Sequence, residues 1–163
     1  MKNLILIRHA KSDWSKESRA DYDRPLNRRG KWDAPFMGER LLEKKIDFER
    51  ILVSPARRAE KTARLICKAM NIPRTRIQLE ASIYEARPHD LLALLQTVGR
   101  EISDLALLGH NPGLTELANW LADCGIDNIP TCGIVSLKAD IDDWQELSPH
   151  VVELADFFYP RST

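Results

Sequence analysis

"LILIRHAKSDW", residues 4–14, decides how the chain is read. Residues 4–7 form an unbroken apolar run, the pattern of a short strand buried on both faces. Arg8 and His9 follow at once, so a core strand ends on two groups that attract anions. In open α/β sheets, ligands bind beyond the carboxyl ends of the strands. The other strand ends are therefore the next places to read.

Two of them carry the same chemistry. "RILVS" (50–54) ends in Ser54, with Arg58 one turn into the helix that follows. "DLALLG" (104–109) ends in Gly109, followed by His110 and then "NPG". If the three strands are neighbours, Arg8, His9, Arg58 and His110 converge on one point. Helices beginning after Ser54 and Asn111 add positive dipole ends and free N–H groups there. A phosphoryl group fits that description. Arginine offers a planar fork that matches two phosphate oxygens. A histidine that is neutral at pH 7 can act as a nucleophile.

The rest of the chain supports an α/β protein. Helical spacing is read over 33–45, with Pro35 near the first turn, and over 55–71, with Ser54 as N-cap and Pro55 leading. It is also read over 89–98 and over 112–123, the last with Asn111 as N-cap and Leu117 and Trp120 in the core. Further strands are expected at 76–82 and 133–139, with 144–147 and 151–158 as edge strands. Residues 10–29 read as a long loop, functional or mobile, that is turn-like around Pro25 and Gly30. Alternating strands and helices predict a three-layer α/β/α sandwich around a largely parallel sheet.

Composition narrows the function. The 163 residues suit one domain, 1–163. Twenty-four basic and 24 acidic residues cancel. No net field favours nucleic acid or an anionic membrane, so an anion site must be local. No apolar run is long enough to span a bilayer, and no secretory signal is read. Cys67, Cys124 and Cys132 form no CxxC pair, as expected of reduced thiols in a cytoplasmic protein. None of the four histidines is spaced i, i+3 or i, i+4 from another, so no metal and no cofactor is expected.

Other phosphoryl-transfer chemistries fit less well. A cysteine phosphatase needs Cys-x5-Arg, but Pro73, Pro130 and Lys138 stand at that distance from the cysteines. An aspartyl phosphatase needs Asp-x-Asp after an early strand. Asp140-Ile-Asp142 comes late and reads as a turn between edge strands.

With these residues in hand, the sequence resembles the histidine phosphatase superfamily, the phosphoglycerate mutase-like fold. "LIRHAKSDW" resembles its strand-plus-"RHG/RHA" motif. "SPARRAEKTA" resembles its "S-P-x-x-R-A-x-x-T-A" motif, aligning Arg58 with the family arginine. "GHNPGL" resembles its second-histidine motif. "DYDRPLNRRG" and the "PTCGIVSL…W" tail are similar to the small SixA-type branch of phosphohistidine phosphatases.

The resemblance implies that His9 is the nucleophile, transiently phosphorylated, and that Arg8, Arg58 and His110 complete a phosphate pocket. In that pocket a protonated His110 adds charge. Glu85 in "SIYEARPHD" is the best positional match to the acid that protonates the leaving group in many members. Lys11, Ser12, Arg24 and Asn111 are candidate substrate contacts. The resemblance further implies a phosphohistidine-bearing protein as substrate. A small phosphate monoester on the same fold is the alternative, and a non-catalytic phosphohistidine reader is a third reading. No lid-sized insertion is evident, which favours an exposed substrate.

Overall fold

The structure, a computed structural model, describes residues 1–161. The chain runs β1 (Lys2–Arg8), α1 (Arg28–Glu43), β2 (Arg50–Val53), α2 (Arg57–Ala69), β3 (Ile77–Leu79), α3 (Pro88–Leu95), β4 (Asp104–Gly109), α4 (Gly113–Ala122), β5 (Ile134–Ala139) and β6 (Val152–Phe158). The six strands form one sheet in the order β3-β2-β4-β1-β5-β6. β3, β2, β4 and β1 pair in parallel, whereas β5 is antiparallel to β1 and to β6.

Strand alternation sorts the core into two layers. On one face, Leu4, Leu6, Leu52, Leu105 and Leu107 pack with Leu91, Leu95, Leu114 and Leu117 of α3 and α4. On the other, Ile5, Ile7, Ile51, Val53 and Leu108 pack with Met37, Leu41, Ala63 and Ile66 of α1 and α2. Burying each large apolar side chain is worth roughly 1.5–3 kcal/mol. Helices on both faces of a mainly parallel sheet make a three-layer α/β/α sandwich.

Register places the site. Arg8 pairs with Gly109 and Val53 pairs with Leu108. β2, β4 and β1 are consecutive in the sheet. Their carboxyl ends therefore sit side by side, as the sequence pattern requires.

Several local boundaries differ from expectation. Helix α1 begins five residues earlier than residue 33, because the Asn27 side chain caps it by accepting from the Gly30 N–H at 2.9 Å. Gly30 is thus a helix residue rather than a turn. It lies where a Cβ would meet the Lys11 carbonyl oxygen at 2.2 Å. Pro35 sits in mid-helix, not in the first turn. Helix α2 starts at Arg57 with Ala56 as N-cap, and the Ser54 hydroxyl accepts from the Ala56 N–H at 3.3 Å just before it. β3 is only three residues long. Pro112, not Asn111, is the N-cap of α4, although Asn111 Oδ1 accepts from the Thr115 N–H at 3.1 Å.

Residues 144–146 form a 3-10 turn, not an edge strand. The large indole of Trp144 takes it inward: the residue is fully buried and its Nε1–H donates to Ile102 O at 2.8 Å. Trp120 is 45% exposed, on the outer side of α4, while Leu117 is buried as expected. No helix among the described residues is long and apolar enough to cross a membrane.

Candidate active site

Three strand ends and one loop build the site. At the end of β1 the His9 N–H donates to Gly109 O at 3.1 Å, and His9 O accepts from the Cys132 N–H at 3.0 Å. The backbone of His9 is thus pinned to the chain on both sides. The Ala10 N–H donates to Thr62 Oγ1 at 3.0 Å, which ties the strand end to α2. The loop of residues 10–27 folds back on itself: the Asn27 N–H donates to Lys11 O, and the Asp13 N–H to Pro25 O. Asp21 and Arg24 are thereby carried over the strand ends.

Arg58 is the hub. Its guanidinium only donates, so the ring nitrogens facing it must accept. Its Nε lies 3.4 Å from His9 Nε2, and its Nη2 lies 3.4 Å from His110 Nδ1. The opposite nitrogens therefore carry the protons. His9 Nδ1–H donates to Ala10 O at 2.8 Å, and His110 Nε2–H to Ser54 Oγ at 2.7 Å. The two rings lie 5.1 Å apart between centroids. Both turn a lone pair towards the same cation.

Electrostatics agrees that both rings are neutral. Burial, helped by the charges of His110, Arg58 and Arg8 and opposed by the Ala10 bond, lowers His9 to about 3. Burial and the charge of Arg58 lower His110 to about 4. Both imidazoles are neutral near pH 7. Arg8 donates from Nη1 to Ile129 O at 2.9 Å. Its buried Nε finds no partner among the described residues, an orphaned donor that an oxyanion can satisfy.

Arg8, His9, Lys11, Ser12, Arg24, Arg58, Glu85, His110 and Asn111 all line one hollow of about 450 Å³. Convergence of the four principal residues is therefore met. The others differ in how free they are. The Ser12 hydroxyl accepts from Arg24. Asn111 spends its amide on Asn128, Ile129 and Thr115. Arg24 is buried, with its guanidinium 3.4 Å above the Trp14 ring. Lys11 and Glu85 are exposed at the rim, with Glu85 at φ 58°. Among the described residues, no group of three or more His, Cys, Asp or Glu side chains is placed to hold a metal ion.

Asp21 is the principal residue that the sequence reading missed. Its carboxylate accepts from Arg58 Nη2 at 3.0 Å, from Arg24 Nη2 at 2.8 Å and from Tyr84 Oη at 2.7 Å. Burial pushes its carboxyl up, but the Tyr84 and Arg24 bonds and the Arg58 charge outweigh that and hold it well below the usual range. The same bond drives the Tyr84 phenol up to about 12. Tyr84 also sets its ring edge-on to His110, with centroids 5.5 Å apart. The signal was present in "DYDRPLN", an acid three residues before a buried arginine, but nothing local distinguishes it from a turn.

Comparison with known proteins follows the same lines. A family model for the histidine phosphatase superfamily, branch 1, matches residues 4–92. An uncharacterised protein of Mycobacterium tuberculosis is 30% identical over 165 residues, spanning 95% of this chain and all of that one. A solved structure from Agrobacterium tumefaciens, assigned as the phosphohistidine phosphatase SixA, superposes with a TM-score of 0.82 at 26% identity over 98% of both chains. A second, the protein histidine phosphatase SixA complexed with tungstate, has a TM-score of 0.82 at 22% identity over 97% of both chains, a likeness of fold. With motifs, pocket and full-length relatives in agreement, this chain belongs to the histidine phosphatase superfamily, branch 1, on its SixA-type side.

Proposed function

We propose that the protein is a phosphatase working through a phosphohistidine formed on His9, and that histidine-phosphorylated protein is its substrate. One observation carries the proposal: His9 Nε2 and His110 Nδ1 both face the Arg58 guanidinium at 3.4 Å. A phosphoryl group entering there meets a nucleophilic lone pair and a cation together.

In the first step His9 Nε2 attacks phosphorus in line. The Nε2–P bond forms, the bond to the leaving group breaks, and the leaving nitrogen or oxygen takes up a proton. In the second step a water oxygen attacks phosphorus, the Nε2–P bond breaks and orthophosphate departs. Such transfers need positioning and charge stabilisation more than covalent help. Arg8 and Arg58 supply the charge. His110 joins them, because a phosphoryl dianion acts on the ring opposite to the surrounding cations and raises its proton affinity. The arginines take the part that a metal plays elsewhere, so turnover is expected to persist in a chelator.

Protein substrate is favoured by the accessible rim, where Trp14 is 72% exposed, and by the SixA-type likeness. Glu85 at the rim supports the second reading, a small phosphate monoester, because an alkoxide leaving group needs a proton and an imidazole needs it less.

The test is to trap the intermediate. The enzyme is mixed with a histidine-phosphorylated protein, quenched without acid, and mapped by mass spectrometry. Phosphate on His9 is expected, and label on any other residue overturns the mechanism. His9→Ala is expected to abolish turnover while leaving the melting temperature near that of the parent.

A further inference from the structure

We infer that a second hollow, separated from the phosphate pocket by a thin wall, docks an acidic and apolar segment of the polypeptide that carries the phosphorylated histidine. It encloses about 720 Å³, more than the phosphate pocket itself. The inference rests on the proposed phosphohistidine activity and adds how the substrate is chosen.

The wall is made of alternating residues. Asp21, Arg24 and Arg58 face the phosphate pocket. Their neighbours Tyr22, Pro25 and Arg57 face the second hollow. The 3-10 turn of residues 21–23 contributes to both, Asp21 to the phosphate pocket and Tyr22 and Asp23 to the second hollow. A small metabolite phosphate occupies only one side, whereas a polypeptide can lie across.

The lining states the chemistry of the occupant. Leu26, Pro55 and Leu65 give an apolar floor, and Tyr22 adds a partly exposed ring. Lys31, Arg57, Lys61 and Arg64 ring it with positive charge. Two acids, Asp23 and Glu60, oppose them, and Glu60 is already engaged by Arg64. Among the described residues, Lys31, Arg57 and Lys61 have no carboxylate partner, and all three are exposed. The chain as a whole is neutral, so this excess is local. Long lysine stems can cover apolar groups while their heads meet carboxylates. Complementary charge of this kind steers encounter and selects partners.

The test uses two synthetic peptides, each phosphorylated on a central histidine with phosphoramidate. One has flanks of Glu and Leu, the other flanks of Lys and Ser. For the parent enzyme, kcat/KM is expected to be about tenfold higher on the acidic peptide, carried mainly by KM. The double variant Lys31→Glu/Lys61→Glu should bring the two peptides within about threefold of each other. Its turnover of p-nitrophenyl phosphate, which reports that the variant is folded, should stay within about twofold of the parent. The preference should also shrink as salt rises from roughly 50 to 500 mM. Equal rates on the two peptides, or a preference that the variant keeps, overturn the docking surface and leave the phosphatase reading intact. Cleavage of p-nitrophenyl phosphate with no cleavage of either peptide overturns the phosphohistidine substrate and the docking surface with it.

Discussion

Arg58 donates to Asp21 twice, from Nη1 to the main-chain oxygen at 2.7 Å and from Nη2 to the carboxylate at 3.0 Å. The arginine is buried, while the Asp21 side chain is 47% exposed. The loop of residues 10–27 therefore holds the guanidinium from above while the two imidazoles face it from the sheet. Asp21→Asn keeps the shape and removes the charge. We expect kcat/KM for p-nitrophenyl phosphate to fall about tenfold, the scale of one lost hydrogen bond to a charged group. Tyr84→Phe, which deletes one donor to the same carboxylate, should fall less. Steady-state kinetics checks both, and an Asp21→Asn enzyme at the parent rate would remove the residue from the positioning of Arg58.

Glu85 gives a prediction that separates leaving groups. If its carboxyl supplies the proton, Glu85→Gln should lower hydrolysis of an alkyl phosphate by roughly 100-fold. Hydrolysis of a phosphohistidine peptide should change by less than about threefold. Equal losses on the two substrates would deny Glu85 that role.

The neutral imidazoles link the site to acid stability. His9 is lowered to about 3 and His110 to about 4, against 6.5 for the ordinary imidazole. Below pH 6.5 the unfolded chain binds protons that the folded site refuses. Stability is therefore complete above that value and is lost as pH falls towards the folded values. Each imidazole can cost up to roughly 2 kcal/mol by pH 5. Urea unfolding at pH 7.5 and pH 5 measures it, and a His110→Gln variant should show the smaller difference.

Gly30 tests the support under the catalytic loop. A Cβ there would meet Lys11 O at 2.2 Å and Lys11 N at 3.0 Å, both backbone atoms that cannot swing aside. Gly30→Ala should destabilise by about 1–3 kcal/mol and lower activity as well, since Lys11 lies two residues from His9. Thermal melting together with aryl phosphate kinetics reads both effects. A variant as stable and as active as the parent would show that this contact carries nothing.

Much of the site could be read from the sequence because it sits where periodicity is strongest. Apolar runs ending in Arg8-His9 and Gly109-His110 place their polar residues by strand geometry alone. Arg58 follows from the first turn of a helix after a strand. What escaped the reading is set by tertiary contact. Asp21 comes to Arg58 across 37 residues, and Tyr84 to Asp21 across 63. Ser54, read as a helix cap, turns instead to His110 across 56 residues. The 3-10 turn at Trp144 and the outward face of Trp120 depend on which surface each indole meets, and no local pattern encodes that choice. The early start of α1 was legible in Asn27, but Gly30 masked it as a turn.

The two backbone bonds of the His9 peptide, to Gly109 O and from Cys132 N, have a kinetic consequence. β1 is an inner strand of the sheet, and its amides exchange with solvent only when neighbouring strands part. The His9 amide should thus be among the slowest to take up deuterium, while those of the overlying loop exchange early. Fluctuations that admit and release substrate can then proceed in the loop without disturbing the aim of the imidazole beneath it.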